Sequence, residues 1–241
     1  VTPLAGDGRL DALQGNGTVM TRNLRSLRAL QWLLVIAVSG TLFSGQARAA
    51  EPKLTLNKGD SIAYIGNTLA DRMQHHAWLE THIHALFPEH ELTFRNLAVP
   101  GDELKVRPRE DNFGSPDQWL AKGETDVVFS FFGYNEALKG EAALATFRKD
   151  LSDVIDGMRA QKYNGESAPQ LVFFSPIAHQ NLHSRHLPDG SANNEKLALY
   201  TQAMEDVCRS KGAVFVNLFA PTREFFESSG LPMTMNGIHL L

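Results

Sequence analysis

The sequence lacks several features that would each point to a particular class of protein. It has a single cysteine, Cys208, among 241 residues, so it forms no intrachain disulfide. Its N-terminal apolar run, Trp32 to Phe43, has 12 residues, well short of the roughly 20 that a transmembrane helix needs. It also lacks a phosphate-binding loop, a dinucleotide-binding glycine motif and a haem-attachment motif. The sequence therefore gives no support for a disulfide scaffold or for nucleotide or haem chemistry.

The N-terminal region has the pattern of a secretory signal. Residues 1–19 are rich in glycine and show no apolar periodicity, and we interpret them as disordered or as a non-native upstream segment. From Met20 a basic stretch leads into the apolar run and then into Ala47-Arg48-Ala49, which has the small-residue pattern of a cleavage site. We predict a signal peptide over Met20–Ala49 and a periplasmic or secreted protein. The alternative is an N-terminal membrane anchor.

The remaining residues, 50–241, suit one acidic domain with a substantial core. The leader holds five of the 23 basic and two of the 27 acidic residues, which leaves 18 against 25 and a formal charge of −7. This balance argues against nucleic acid and, after signal cleavage, against a membrane as partner. Because the chain stops at Leu241, where a final helix would be expected, we also predict a domain truncated at its C-terminus.

Apolar β-rich runs alternate with helical patterns along this domain. Five runs predict buried strands: Ile62 to Ile65, Glu91 to Leu97, Asp126 to Phe132, Gln170 to Ser175 and Ala213 to Leu218. Helical patterns lie between them: Leu69 to Phe87, Asp117 to Lys122, Glu141 to Gln161 and Asn194 to Lys211. Cys208 falls in the last of these, so we expect a buried, unreactive thiol. The alternation predicts an α/β fold, with a parallel sheet covered on both faces.

A hydrolase-like Gly-Asp-Ser precedes the first predicted strand, whereas a nucleophile of this kind has to follow one. Ser61 comes before the strand, and Gly66-Asn67-Thr68 comes after it and opens a helix. The two hydroxyls would lie about 20 Å apart, at opposite strand ends. Because function in such sheets collects at the carboxyl ends of the strands, we interpret Ser61 as part of a turn and Thr68 as the candidate nucleophile. The structural alternative for Thr68 is a helix N-cap.

The segments at the strand ends resemble the four sequence blocks of the SGNH/GDSL hydrolase family, in their usual order. The corresponding segments are Gly66-Asn67-Thr68, Gly101, Gly133-Tyr134-Asn135-Glu136 and Asn236-Gly237-Ile238-His239. The glycines, Asn135 and His239 match the family pattern. Three positions depart from it, because Asn67, Thr68 and Asn236 stand where the family has Asp, Ser and Asp. The resemblance implies a three-layer α/β/α sandwich with a five-stranded parallel sheet of flavodoxin-like order.

The chemistry that the resemblance implies is transfer of an acyl group to water, without cofactor or metal. Thr68 would be the nucleophile and His239 the base. The oxyanion donors would be the Thr68 and Gly101 backbone amides and the Asn135 side chain. Asn236 would orient the imidazole through its carbonyl but add no charge. A nearby carboxylate, Glu136 or Asp102, could supply the missing negative charge.

Four further residues are candidates for contact with a substrate. Asn67 and Glu136 flank the implied catalytic positions, Arg107 lies in the long loop after the second strand, and His179 follows the fourth. For Glu136 the alternative is a charge at a helix N-terminus, and for Arg107 a solvated loop.

Two functions follow from this pattern. The first is an exported SGNH/GDSL-type ester hydrolase acting on a small acyl ester, for which an acylated carbohydrate is one candidate. The alternative, motivated by Asn67, Thr68 and Asn236, is a weak or inactive domain that binds a ligand as a module of a larger exported protein.

Overall fold

The computed structural model describes residues 51–241. The predicted upstream segment 1–19 and the predicted signal peptide Met20–Ala49 lie outside the described residues, so both remain predictions.

All five predicted strands form, and they make a single parallel sheet. Their bounds are β1 Ser61–Gly66, β2 Thr93–Asn96, β3 Val127–Phe131, β4 Gln170–Phe174 and β5 Val214–Val216. The strand order is β2-β1-β3-β4-β5 and every pair is parallel, which confirms the flavodoxin-like order. The two edge strands, β2 and β5, are shorter than predicted, and they are not buried as predicted: Thr93 and Arg95 of β2 are exposed, and β5 is half-buried.

Helices connect the strands and cover both faces of the sheet. Their bounds are α1 Thr68–Met73, α2 Trp78–Leu86, α3 Glu110–Phe113, α4 Pro116–Lys122, α5 Tyr134–Ala137, α6 Leu144–Arg159, α7 Ser191–Lys211 and α8 Phe219–Ser229, with a 3₁₀ turn at Glu141–Ala143 before α6. Among the described residues no helix is long and apolar enough to cross a membrane.

The first predicted helix, Leu69 to Phe87, is two helices in the structure. Between α1 and α2 the backbone of Ala77 takes a left-handed conformation, with φ of 51°. The residues just before it, Gln74, His75 and His76, are exposed. No apolar face continues across this stretch to pack against the sheet, so nothing holds a continuous helix there.

Alternate residues of the strands build two cores, one on each face of the sheet. In β1, Ala63 and Ile65 pack on the face covered by α6 and α7, while Ile62 and Tyr64 pack on the face covered by α1 and α2. Cys208, on α7, is fully buried, and burial raises its pKa to about 12. The predicted three-layer sandwich and the buried thiol are therefore confirmed.

Candidate active site

The carboxyl end of β1 lies unusually close to the backbone of β3. The φ angle of Gly66 is 133°, and a Cβ at this position would lie 2.2 Å from the Phe131 carbonyl oxygen, so only glycine fits. The next amide, of Asn67, donates to that same oxygen at 3.1 Å. Thr68 is therefore positioned by the two central strands of the sheet.

Asn67, and not Thr68, caps the following helix. The Asn67 Oδ1 accepts a hydrogen bond from the Leu69 amide at 3.2 Å, and Thr68 is the first residue of α1. The N-cap alternative for Thr68 is thus wrong, and its hydroxyl is not used in capping. The side-chain oxygen of Asn67 is used in the cap, although the residue does line the cavity described below.

Ser61 lies at the opposite end of β1, where it has a structural role. Its hydroxyl donates to the Gly123 carbonyl at 2.9 Å, and its amide donates to Asp126 Oδ2 at 2.7 Å. Both partners lie just before β3, at the amino edge of the sheet.

Asn135 connects the end of β3 to the turn that follows β2. It lies on α5, directly after β3, and its Nδ2 donates to the Asp102 carbonyl at 3.2 Å. Asp102 follows Gly101 in the turn after β2, so the structure brings two of the three predicted oxyanion residues to neighbouring positions. Within the described residues, neither the Thr68 amide nor the Gly101 amide donates to a protein acceptor, which leaves both free for a ligand.

Asn236 holds the His239 side chain in one tautomer. Its Oδ1 lies 3.0 Å from His239 Nδ1 and also accepts from the His239 amide at 3.1 Å. Because an amide oxygen can only accept, the proton resides on Nδ1 and Nε2 is left as the basic nitrogen. Burial, together with the positive charge of Arg72, lowers the pKa of His239 below its ordinary value of 6.5.

Thr68, Asn135 and His239 line one cavity of about 250 Å³. Its other walls are mainly apolar and aromatic: Leu69, Phe131, Phe132, Tyr134, Leu138, Pro176, Ile177 and Ile238, with Asn67 and Ser175. No hydrogen bond joins the Thr68 hydroxyl to the imidazole in the described part of the chain. Such bonds are often long in enzymes without substrate and tighten when substrate binds.

Glu136 supports the backbone and does not reach this cavity. It is buried, its Oε1 accepts from the Leu104 amide and its Oε2 accepts from the Gly133 amide, each at 2.9 Å. Both oxygens bond the backbone of loops. The expectation that Glu136 contacts the substrate is therefore wrong, and so is the expectation that it supplies a carboxylate beside His239. The alternative of a helix N-terminal charge agrees with its contact to Gly133.

Arg107 lies behind a wall of the cavity. Its guanidinium is 4.5 Å from the centre of the Phe132 ring and 3.7 Å from Asp102 Oδ2, and it also donates to the Glu103 carbonyl. Only 10% of its side chain is exposed. The structure therefore places Arg107 in packing and ion pairing, and corrects its assignment to substrate contact as well as the solvated-loop alternative. Asp102 pairs with Arg107, and the position beside His239 Nδ1 is taken by Asn236 and not by a carboxylate.

His179 is buried beside the segment that carries His239. A Cβ at Gly237 would lie 2.4 Å from its Nε2, and one at Gly190 would lie 2.5 Å from its Cδ2. The ring thus packs directly against two glycine backbones. His179 lines a second, larger cavity of about 770 Å³ and not the cavity that holds Thr68.

The sequence did not single out Gln180, which attaches the C-terminal segment to the domain. Its buried side chain accepts from the Met233 amide and the Thr234 hydroxyl, each at 2.9 Å, and donates to the Leu231 carbonyl at 2.7 Å. Its amide donates to the Gly237 carbonyl at 2.8 Å. A glutamine after a strand carries no motif, and its partners lie more than 50 residues away, so no local signal could have found it.

Several solved structures share this fold at low sequence identity. A gut microbial diltiazem-metabolizing enzyme gives a TM-score of 0.62 at 14% identity, covering 79% of this chain and 45% of its own. A variant of an acetyl xylan esterase from Geobacillus stearothermophilus gives 0.59 at 12%, covering 78% and 90%. A protein described as a GDSL-like lipase from Parabacteroides merdae gives 0.61 at 14%, covering 79% and 92%. The chain thus spans less than half the length of the first of these.

The sequence itself connects the chain to one family. No functionally curated protein matches it. Residues 59–240, which include every strand and both ends of the candidate site, match the GDSL-like lipase/acylhydrolase family. The chain therefore belongs to the GDSL-like lipase/acylhydrolase family, a family of hydrolases that act on ester bonds.

Proposed function

We propose that this protein is an exported esterase that removes a small acyl group, of the acetyl class, from a carbohydrate. The observation that carries the proposal is the single cavity lined by Thr68, Asn135 and His239, in which Asn236 leaves Nε2 of the imidazole as the base. Thr68 is the nucleophile in this proposal, because the alternative hydroxyl, Ser61, is hydrogen-bonded at the far edge of the sheet.

The proposed reaction proceeds in two acyl transfers. Thr68 Oγ1 attacks the ester carbonyl as His239 Nε2 takes its proton, and the Thr68 and Gly101 amides with Asn135 Nδ2 hold the oxyanion. His239 then returns the proton to the leaving alcohol as the ester bond breaks and an acyl-threonine forms. A water molecule, deprotonated by the same imidazole, then attacks the acyl-threonine. The bond between the acyl carbon and Thr68 Oγ1 breaks, Oγ1 takes the proton back from the imidazolium, and the carboxylic acid is released.

The size and walls of the cavity support a small acyl group. At about 250 Å³ it falls below the roughly 300–1,000 Å³ of sites that take drug-sized ligands. Phe131, Phe132 and Ile177 give it apolar walls suited to a short acyl chain.

A second cavity supports a carbohydrate as the alcohol part. The segment after β4 lines both spaces, with Ser175 to Ile177 on the small cavity and His179 to His183 on the larger one. The larger cavity carries polar side chains that can bond sugar hydroxyls: Asn181, Asp189, Glu195, Arg223 and Glu227. The similarity in fold to an acetyl xylan esterase also favours this substrate class.

Turnover of esters of increasing acyl length tests the proposal. We expect kcat/KM for p-nitrophenyl acetate to exceed that for the octanoate by at least about tenfold, because a chain too long for the cavity must displace its walls or hold the ester carbonyl away from Thr68. Release of acetate from acetylated xylo-oligosaccharides tests the carbohydrate part, with deacetylated oligosaccharide as control.

A binding-only domain would give a different result. It would show a raised melting temperature with acetylated oligosaccharide but no release of acetate in the same incubation. That result, or no turnover of any of these esters above buffer, would overturn the proposed esterase.

Export rests on the pattern of Met20–Ala49 and is tested by the mature N-terminus. We expect protein recovered from the periplasm or medium of an expressing bacterium to begin at Ala50. Intact leader sequence on the recovered protein would contradict this.

The pH dependence should report the charge on Arg72. Because burial and, after it, the charge of Arg72 lower the pKa of His239, the neutral, active imidazole should persist to lower pH, and the acid limb of kcat/KM should lie below pH 6.5. Removing the charge with Arg72→Gln should raise the pKa of His239 and move that limb to higher pH. Arg72→Lys keeps the charge and should leave the limb in place. An unmoved limb in Arg72→Gln would mean that Arg72 does not act on the base.

A further inference from the structure

A hydrogen-bond chain that the sequence did not predict connects His179 to Tyr134, a residue of the cavity wall. Asn193, on α7, donates from Nδ2 to the phenolic oxygen of Tyr134 at 3.0 Å. The same nitrogen lies 3.2 Å from His179 Nδ1. Tyr134 lines the cavity that contains Thr68 and His239. One amide group therefore joins the wall of the proposed active site to a buried histidine.

The hydrogens in this hydrogen-bond chain can be assigned from which atoms can donate and which can accept. The Asn193 Nδ2 carries two hydrogens and cannot accept, so it donates one to Tyr134 and one to His179 Nδ1. The phenolic oxygen of Tyr134 is thus an acceptor in this contact, and its own hydrogen is not used there. No other acceptor within the described residues takes that hydrogen.

The surroundings hold Tyr134 and Asn193 in these roles. Burial lowers the pKa of His179, which favours the neutral ring whose Nδ1 can accept. Burial also raises the pKa of Tyr134, which keeps its hydroxyl protonated. The His179 ring cannot easily turn, because it packs against the backbones of Gly190 and Gly237.

We propose that Tyr134 is a further substrate-contacting residue, which donates its phenolic hydrogen to an oxygen of the bound ester, and that Asn193 is the positioning residue that aims it. The inference rests on the proposed ester-binding function of this cavity. The added hydrogen-bond donor is the hydroxyl of Tyr134, the residue before Asn135. Its hydrogen is not used in the bond with Asn193.

Replacement of the phenol by phenyl tests the contact. In Tyr134→Phe we expect the KM for p-nitrophenyl acetate to rise about 5- to 10-fold, with kcat within about twofold, the result of losing one hydrogen bond made in substrate binding. The Kd for N-acetyl-4-nitroaniline, an amide isostere that resists hydrolysis, should rise by the same factor. Tyr163→Phe is the matched control, since the Tyr163 hydroxyl bonds Asp117 and Tyr163 does not line the cavity, whereas Tyr134 does.

Asn193→Asp tests the positioning role. A carboxylate at this place can only accept, so it should draw the phenolic hydrogen away from the cavity and raise KM and Kd about as much as Tyr134→Phe does. In the Asn193→Asp background, Tyr134→Phe should then add less than about a twofold change, because the two changes remove the same contact.

The outcomes separate this inference from the proposed function. Turnover or isostere binding that Tyr134→Phe leaves unchanged overturns the inference and leaves the proposed function standing. An effect of Tyr134→Phe that Asn193→Asp does not reproduce, with both variants folded by circular dichroism, overturns the role of Asn193. Wild-type protein that neither turns over the ester nor binds the isostere overturns both. If it binds without turnover, the proposed function fails and the Kd values alone decide the inference.

Discussion

Thr68→Ala is expected to lower kcat for p-nitrophenyl acetate by at least about 10³-fold, the scale on which hydrolases lose activity with their nucleophile. Thr68 is the hydroxyl that the β1–β3 contact places in the cavity with His239. The change should leave the fold intact, because Asn67 caps α1 without help from the Thr68 side chain. Steady-state kinetics with a thermal melt of each variant measures this.

Ser61→Ala is the matched control, a removal of one hydroxyl from the other end of the same strand. We expect kcat within about twofold of the wild type and a loss of about 1 kcal/mol in the free energy of unfolding, the usual net value of the hydrogen bond to Gly123. Thr68→Ser should keep or raise kcat, since it retains the hydroxyl and removes the methyl that restricts χ1. Turnover that survives in Thr68→Ala and disappears in Ser61→Ala would reverse the assignment.

Asn236→Asp is expected to raise kcat by about 10²-fold. In Ser-His-Asp hydrolases the opposite change, Asp to Asn, costs about 10⁴ in kcat, because the amide does not stabilise the imidazolium. Here the Asn236 oxygen already lies 3.0 Å from His239 Nδ1, so the carboxylate would enter an existing geometry. We expect a smaller gain than the full factor because Arg72 continues to oppose the positive charge on the imidazole.

The same substitution should be visible in the pH profile. A carboxylate beside Nδ1 raises the pKa of His239, so the acid limb of kcat/KM should move to higher pH as kcat rises. Asn236→Ala is the control and should lower kcat, since it frees the ring and leaves the His239 amide without its acceptor. A kcat in Asn236→Asp that is equal to the wild type, with the melting temperature unchanged, would show that the imidazolium is not stabilised from this position.

The sheet could be predicted from the sequence because each strand is a local signal. Runs such as Asp126 to Phe132 are short, mostly apolar and rich in Val and Phe, which is typical of a parallel strand covered on both faces. The break at Ala77 was missed because nothing in the local sequence distinguishes a left-handed alanine from a helical one. There the lack of tertiary packing decided the outcome.

The site was predictable where position along the chain determines position in space. Residues that follow strands, such as Asn135 and Thr68, reach the carboxyl edge whatever the loops do. The roles of Glu136 and Arg107 could not be predicted in this way. Their partners are the Leu104 amide and the Phe132 ring. The course of the loop between β2 and α3, which brings these groups together, leaves no pattern in the sequence. Asn193 was missed for the same reason, since its two contacts cross from α7 to other elements.

The two halves of the proposed active site differ in local stability, because His239 lies on the C-terminal segment and Thr68 lies at the end of a central strand. Thr68 follows directly on the contact between the two central strands, where the Asn67 amide bonds the Phe131 carbonyl. His239 is carried by a segment fastened through the side chain of Gln180, so a few hydrogen bonds could open there while the sheet stays folded. The base and the nucleophile would then part in a local event, and catalytic activity would be lost at lower denaturant concentration than the circular dichroism signal of the sheet.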